Sequence, residues 1–303
     1  MGYQFKQQES LASGVRRIAG EQLSQAIQIL QDPEQNRHYA IHEVRKRFKK
    51  LRGLVRLVRS GLGDEYTAVN VWYRDAGRRL SRIRDAESLL ESLQSLQERF
   101  PDPAYSALFA EFENRLQTRK QKVVDEWVDL DQELKQLSSE LQQAKQLVEN
   151  WKIKGASTKV LKAGLKLNYQ RGVEALTQLH QSPSDELFHE CRKRSKYHLY
   201  HIRLLNAVWP TILSARQAEL DELNDYLGDD HDLAVMTQVF TGEPETFGTS
   251  ADVEQLLTLI RQQRHDLQSA GLKLADRIFA EKPKAFAHRI KNYWELWKAD
   301  RAD

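Results

Sequence analysis

Across residues 42–56 the chain places His42, Arg45, Lys46, Lys49, Arg52 and Arg56 at steps of three and four. On a helix turning about 100° per residue these six share one stripe, between about −80° and +40° with His42 as zero. Val44, Phe48, Leu51, Val55 and Val58 gather on the opposite side. Such a helix buries its apolar stripe and turns a cationic face outward. A face that only meets water usually mixes signs, because like charges at i,i+4 repel. Here Arg45 stands by Lys49 and Arg52 by Arg56, so the row calls for an anion, supplied by acids elsewhere in the fold or by a ligand. It runs about 21 Å at about 1.5 Å per residue, too long for a single phosphate. Arginine forks can grip two oxygens of one phosphate while lysines add mobile point charges, so a mixed row suits a ladder of closely spaced phosphates. Arg74, Arg78 and Arg82 form a second row at i,i+4 steps. Two such helices face to face would make a groove.

The first stripe has a copy. His42-Glu43-Val44-Arg45-Lys46-Arg47-Phe48-Lys49 reappears 147 residues later as His189-Glu190-Cys191-Arg192-Lys193-Arg194-Ser195-Lys196, and Arg56 falls on Arg203 without a gap. Seven of these fifteen positions are identical, and the same offset carries Leu80 onto Leu227 and Asp85 onto Asp232. The second candidate row is therefore His189, Arg192, Lys193, Lys196 and Arg203. His42 and His189 open the two rows, where a nearby polyanion would favour their protonated form. Each could instead cap or bond a neighbouring helix. The His-Glu pairs and Asp229-Asp230-His231-Asp232 offer metal ligands in type, but the dense cations beside both pairs oppose a metal ion. No metal and no cofactor is expected. His198 and His201 fall on other faces of the second helix, where packing is the expected role.

The elements that must position these rows read as helices. Sustained two-residue alternation and Asn-Gly or Asp-Gly hairpin pairs are missing, while Leu, Gln, Glu, Lys, Arg and Ala dominate. Breaks are marked at Asp32-Pro33, Gly61 to Asp64, Pro101 to Pro103, Gly155 to Thr158, Ser182 to Ser184, Trp209-Pro210, Thr241 to Ser250 and Lys282-Pro283. They predict about eight or nine helices. Residues 103–154 carry a seam at Leu130, Leu134, Leu137, Leu141, Ala144 and Val148 and predict one long helix or two nearly collinear ones. The expected architecture is all-α: a single unit over 1–303 made of two four-helix bundles, 1–150 and 151–303, related by duplication and a pseudo-twofold axis.

Net charge is only +3, but residues 37–84 hold 14 Lys or Arg against four acids, a local +10 that leaves −7 for the rest of the 303 residues. That asymmetry predicts a directional field toward an anionic partner. A mean hydropathy of −0.66 and the lack of a long apolar stretch argue against a membrane partner, and the first residues lack a secretory apolar core, so the expected location is cytoplasmic. The single cysteine, Cys191, excludes internal disulfides and reads as a small apolar side chain.

A duplicated His-x-x-Arg-x-x-x-Lys helix, each copy followed about 40 residues later by an Arg/His-Asp pair before a helix, resembles the CHAD domain, the conserved histidine α-helical domain. The resemblance extends over essentially the whole chain. It implies two four-helix bundles whose basic surface and central channel bind inorganic polyphosphate, and association with polyphosphate granules. The chain resembles the standalone form, having no Glu-x-Glu-x-Lys segment near its start. By position, His42, Arg45, Lys49 and Arg56 match the first motif and His189, Arg192, Lys196 and Arg203 the second. Arg84-Asp85 fits the later Arg-Asp pair, whereas the second copy reads His231-Asp232, and Ser81 stands opposite Gly228. Asp85 and Asp232 then become structural partners of arginines.

Binding of polyphosphate is the leading expectation, and nucleic acid is the alternative that the same cations could serve. Against the alternative, the stripes carry no Asn or Gln row for base edges, and Tyr73 and Tyr200 are the nearest aromatics for stacking. No Gly-rich phosphate cradle or activated nucleophile accompanies the cations, so the chain is not expected to be an enzyme.

Overall fold

Every proline, glycine or serine break marked above falls at a helix end. The computed structural model describes residues 2–126, 130–248 and 250–300, apart from the side chains of Arg82, Ile83 and Ser250. The helices are α1 (Leu11–Gln31), α2 (Arg37–Leu57), α3 (Arg59–Leu62), α4 (Glu65–Arg79), α5 (Ser81–Arg99), α6 (Ser106–Asp125), α7 (Leu130–Glu149), α8 (Ser157–Gln181), α9 (Asp185–Leu205), α10 (Pro210–Gly242), α11 (Pro244–Phe247), α12 (Ser250–Ile278) and α13 (Pro283–Ala299). Among the described residues no strand occurs and no helix is long and apolar enough to cross a membrane. Side chains of Ser10, Asn36 and Ser184 cap α1, α2 and α9 by accepting from free backbone N–H groups, and Pro210 and Pro283 open α10 and α13, where a missing N–H costs nothing.

Thirteen α-helices occur among the described residues in place of the expected eight or nine: breaks at Val58 and Leu80 carry no Gly or Pro, α6 and α7 are separate helices, and α11 adds a single turn inside the marked stretch from Thr241 to Ser250. At Val58 (φ −104°, ψ 19°) and Leu80 (φ −96°, ψ 8°) the backbone enters the sparsely allowed bridge region. Both side chains are fully buried, so tertiary packing fixes the break. The offset equivalent of Leu80, Leu227, lies inside the unbroken α10. Residues 103–154 form a short 3₁₀ turn followed by α6 and α7, which pack on different partners, α6 on α5 and α7 on α1. The leucine seam of α7 is the face seated on α1.

Two apolar cores hold the helices. The larger draws on α1, α2, α4, α7, α8, α9 and α13 with the first part of α10 and the last part of α12. The smaller joins α5 and α6 to the second part of α10, α11 and the first part of α12. Both take residues from either side of residue 150, and α10 and α12 are long enough to serve both. Where α2 meets the second half, spacing is too tight for side chains. A Cβ on Gly53 would lie 2.7 Å from Tyr200 Cβ, and one on Gly164 would lie 1.9 Å from the Leu57 carbonyl oxygen. His201 Nε2 donates to the Gly53 carbonyl at 3.1 Å across the same contact. Cys191 is buried and unpaired, and burial pushes its thiol up to about 12.

Candidate functional site

The close approach of α2 to α8 and α9 leaves a cavity of about 570 Å³ beside the outward face of α2. Arg45, Phe48, Lys49, Arg52 and Arg56 of α2 form its floor, and Tyr73, Arg74, Gly77 and Arg78 of α4, with Ser81, form one wall. Arg171 of α8 and His189, Lys193, Arg194 and Tyr197 of α9 close the other. Nine Lys or Arg and one His line it, with no carboxylate among the lining residues.

The cations are held by few partners. Arg45 Nη1 donates to the Gly77 carbonyl at 2.5 Å, and Arg52 Nε reaches Asn70 Oδ1 at 3.4 Å. The Arg56 and Arg52 guanidinium groups lie over the Tyr197 ring at 4.2 and 5.8 Å from its centroid, a cation–π support that supplies no counter-charge. Arg56 Nε is buried with no hydrogen-bond partner among the described residues. Carboxylates sit at the edge: Asp75 holds Arg74 at 2.7 Å and approaches Arg78 at 3.7 Å, and Glu190 pairs with Lys193 and Arg194.

Burial and neighbouring cations both act on Lys49. Protein crowds it on most sides although one side stays open to solvent. Burial first, then Arg192, Arg45 and Lys196, lower its ammonium from 10.5 to about 8, with Asp232 opposing. Burial lowers Arg52 as well, with Arg56 and Arg74 adding repulsion against the help of Tyr197. Arg171 is lowered by burial and by Arg194, Arg59 and Arg56. His189 is pushed below the ordinary histidine range by burial, Arg192 and Lys193, so without a ligand it favours the neutral form.

The cavity collects His189, Arg45, Lys49, Arg52, Arg56, Arg74, Arg78 and Lys193 from the residues singled out in the sequence. The Arg82 side chain lies outside the described residues. Five others stand elsewhere. Lys46 bonds Glu43 at 3.0 Å on the adjoining face of α2. His42 is lowered by burial and by Arg84. Arg192, Lys196 and Arg203 turn toward α10, where Arg203 Nη2 donates to Asp221 Oδ1 at 2.5 Å. Sequence reasoning missed Arg171, Arg194 and Tyr197. Arg171 sits seven residues beyond Gly164, on the same face of α8, and only the tight Gly164–Leu57 contact brings that face to the cavity.

Aromatic rings offer little for bases to stack on. Tyr73 lines the cavity with its side chain buried, Tyr200 is packed against Gly53 and Tyr3, and Tyr197 already carries two guanidinium groups. Asp85 faces Arg45, Arg84 and Lys49, and Asp232 faces Arg192, Arg84 and Lys49; burial raises both carboxyls against those cations. His231 Nδ1 lies 3.4 Å from His189 Nδ1, and burial with Arg192 lowers it to about 4. Among the described residues no group of three or more His, Cys, Asp or Glu is placed to hold a metal ion. His198 and His201 are buried, His198 Nε2 accepting from Arg216 Nε at 3.2 Å.

No curated relative matches the chain. The CHAD domain family matches residues 18–241, a span that holds both histidine-led stripes and every residue lining the cavity. The chain therefore belongs to the CHAD domain family, which is associated with polyphosphate binding.

Proposed function

We propose that the protein binds inorganic polyphosphate in the cavity between α2, α4, α8 and α9, through Arg45, Lys49, Arg52, Arg56, Arg74, Arg78, Arg171, His189, Lys193 and Arg194, and is thereby carried to polyphosphate granules. One observation carries the reading: nine Lys or Arg line a single cavity that contributes no carboxylate of its own. Burial and then neighbouring cations lower the ammonium of Lys49, a cost that an anion with several charges at short spacing relieves. Forked arginines and point-charge lysines together suit a chain of phosphates rather than one planar group. Binding rather than turnover is the expected outcome, since the lining offers neither metal-holding carboxylates nor a base poised beside a nucleophile.

The second part of the proposal is that the site arose by duplication of a helical bundle, with repeats over 1–150 and 151–303 related by a pseudo-twofold axis. In its support, Gly53 and Tyr200, which meet where α2 and α9 touch, are equivalent under the 147-residue offset. The pairing of α1 with α7 corresponds to that of α8 with α13, and α5 with α6 to α10 with α12.

Titration with long-chain polyphosphate, tripolyphosphate and single-stranded DNA at one fixed salt concentration tests the reading. The expected order is long-chain polyphosphate well ahead of tripolyphosphate, with single-stranded DNA weaker than the long chain. Equal affinity for all three would reduce the cavity to a generic cation patch.

A further inference from the structure

The offset that matches the two stripes continues without a gap into the next helix, where it carries Arg74 onto Asp221 and Arg78 onto Asp225. Arginines that help wall the cavity in the first half thus have carboxylates as their counterparts in the second, a difference of four charges. The helices are laid out alike. Arg203–Asp221, Ser195–Asn224, Arg192–Gly228 and His189–His231 contacts run α10 antiparallel along α9, as Arg52–Asn70 and Arg45–Gly77 run α4 along α2.

The electrostatics are reversed. Arg203 Nη2 donates to one oxygen of Asp221 at 2.5 Å, while Gln217 holds the other at 3.3 Å. Burial lowers Lys196, as do Arg192 and Arg203, but Asp225 and Asp221 pull it back. Arg192 has Asp229 and Asp232 as neighbours of opposite sign. In the first half, Arg52 instead meets Arg74. A carboxylate gripped by an arginine presents the same forked pair of oxygens as a phosphate.

We propose that the α9–α10 face is a counterpart of the polyanion cavity that its own Asp221 and Asp225 close to polyanions. Polyphosphate then follows one track, along α2 and α4, while Lys196 and Arg203 serve the fold. Asp221 and Asp225 are the determinants that limit the protein to that track. This inference rests on the polyphosphate reading of the cavity.

Three double variants, each titrated with long-chain polyphosphate at fixed salt, test it: D221N/D225N, K196Q/R203Q and R52Q/R74Q. With Arg203 released from its pair with Asp221 and Lys196 relieved of Asp225, D221N/D225N binding should tighten by about 2- to 30-fold, taking each at ordinary exposed strength. The salt slope should steepen by about 1.4, two further contacts at the single-strand value. K196Q/R203Q should stay within about twofold of the wild type, whereas R52Q/R74Q should lose most binding. If K196Q/R203Q loses as much as R52Q/R74Q, the second face is a working track and the inference is overturned while the cavity reading stands. Unchanged affinity and slope in a D221N/D225N protein with wild-type circular dichroism overturn it equally. If R52Q/R74Q binds like the wild type, the cavity reading itself fails and takes the inference with it. Should D221N/D225N not fold, D221N alone and the K196Q/R203Q titration decide the matter.

Discussion

Raising the pH from 7 to 9 should weaken polyphosphate binding through one side chain, Lys49. In the free cavity its ammonium titrates near 8, and surrounding phosphates would return it toward its ordinary 10.5. The complex therefore takes up a proton, about half of one per binding event at pH 8. Affinity is full near pH 7, where Lys49 is charged in both states, and declines as the pH rises through 8, where the charge must first be restored. From the two values the loss between pH 7 and pH 9 is about tenfold. This is an upper figure, because the open side of Lys49 lets solvent screen part of the effect. Calorimetric titration in buffers of different ionisation enthalpy reads the proton uptake directly. K49R, which stays charged throughout, should flatten the profile. Lys50 also titrates near 8, through burial and then Arg47, Lys46 and Arg203, but does not line the cavity, so K50R should leave the profile as it was. A flat wild-type profile, or an unchanged one in K49R, would refute the reasoning.

Binding should fall steeply with salt: engagement of about 6 to 10 phosphates, by analogy with DNA, costs roughly three to five decades between 50 and 200 mM, and a shallow dependence in a filter or calorimetric assay would count against an ion-pair ladder. Acid should destabilise the fold, because burial holds His201 down at about 3; stability is complete above the unfolded histidine value near 6.5 and falls by up to about 1.4 kcal/mol per pH unit below it. Melting temperatures across pH 4 to 7 at about constant ionic strength check this, and H201Q should soften the decline. G164A should cost about 1–3 kcal/mol in denaturant unfolding, because the new methyl meets the Leu57 carbonyl and the backbone of α2 has to give way.

Much of the helical layout was legible because prolines and capping side chains announce helix ends locally: Pro33, Pro183, Pro210 and Pro283 each fall where a helix stops or starts. The breaks at Val58 and Leu80 were not, since buried side chains set them and no local residue type marks them. The cationic face of α2 was readable from its own periodicity, because the apolar stripe opposite fixes which side turns outward. For α9 the same logic found the cations but could not say which neighbour each would meet. Lys193 turns to the cavity and Arg203 to Asp221, a division that depends on how α9 is rotated against α2 and α10. Arg171 belongs to no pattern in the sequence and reaches the site only through the close packing of α8 on α2.

The central claim, that an organised cavity and not total charge binds polyphosphate, is tested most directly by two charge-matched triple variants titrated side by side with long-chain polyphosphate. One changes Arg45, Lys49 and Arg56 in the cavity to glutamine, and the other changes the exposed Lys122, Lys135 and Lys145. Each removes the same charge from the chain. Loss of most binding in the first, with little change in the second, is the predicted result. Equal losses in both would contradict the account, since the cations would then act only through the net field of the molecule.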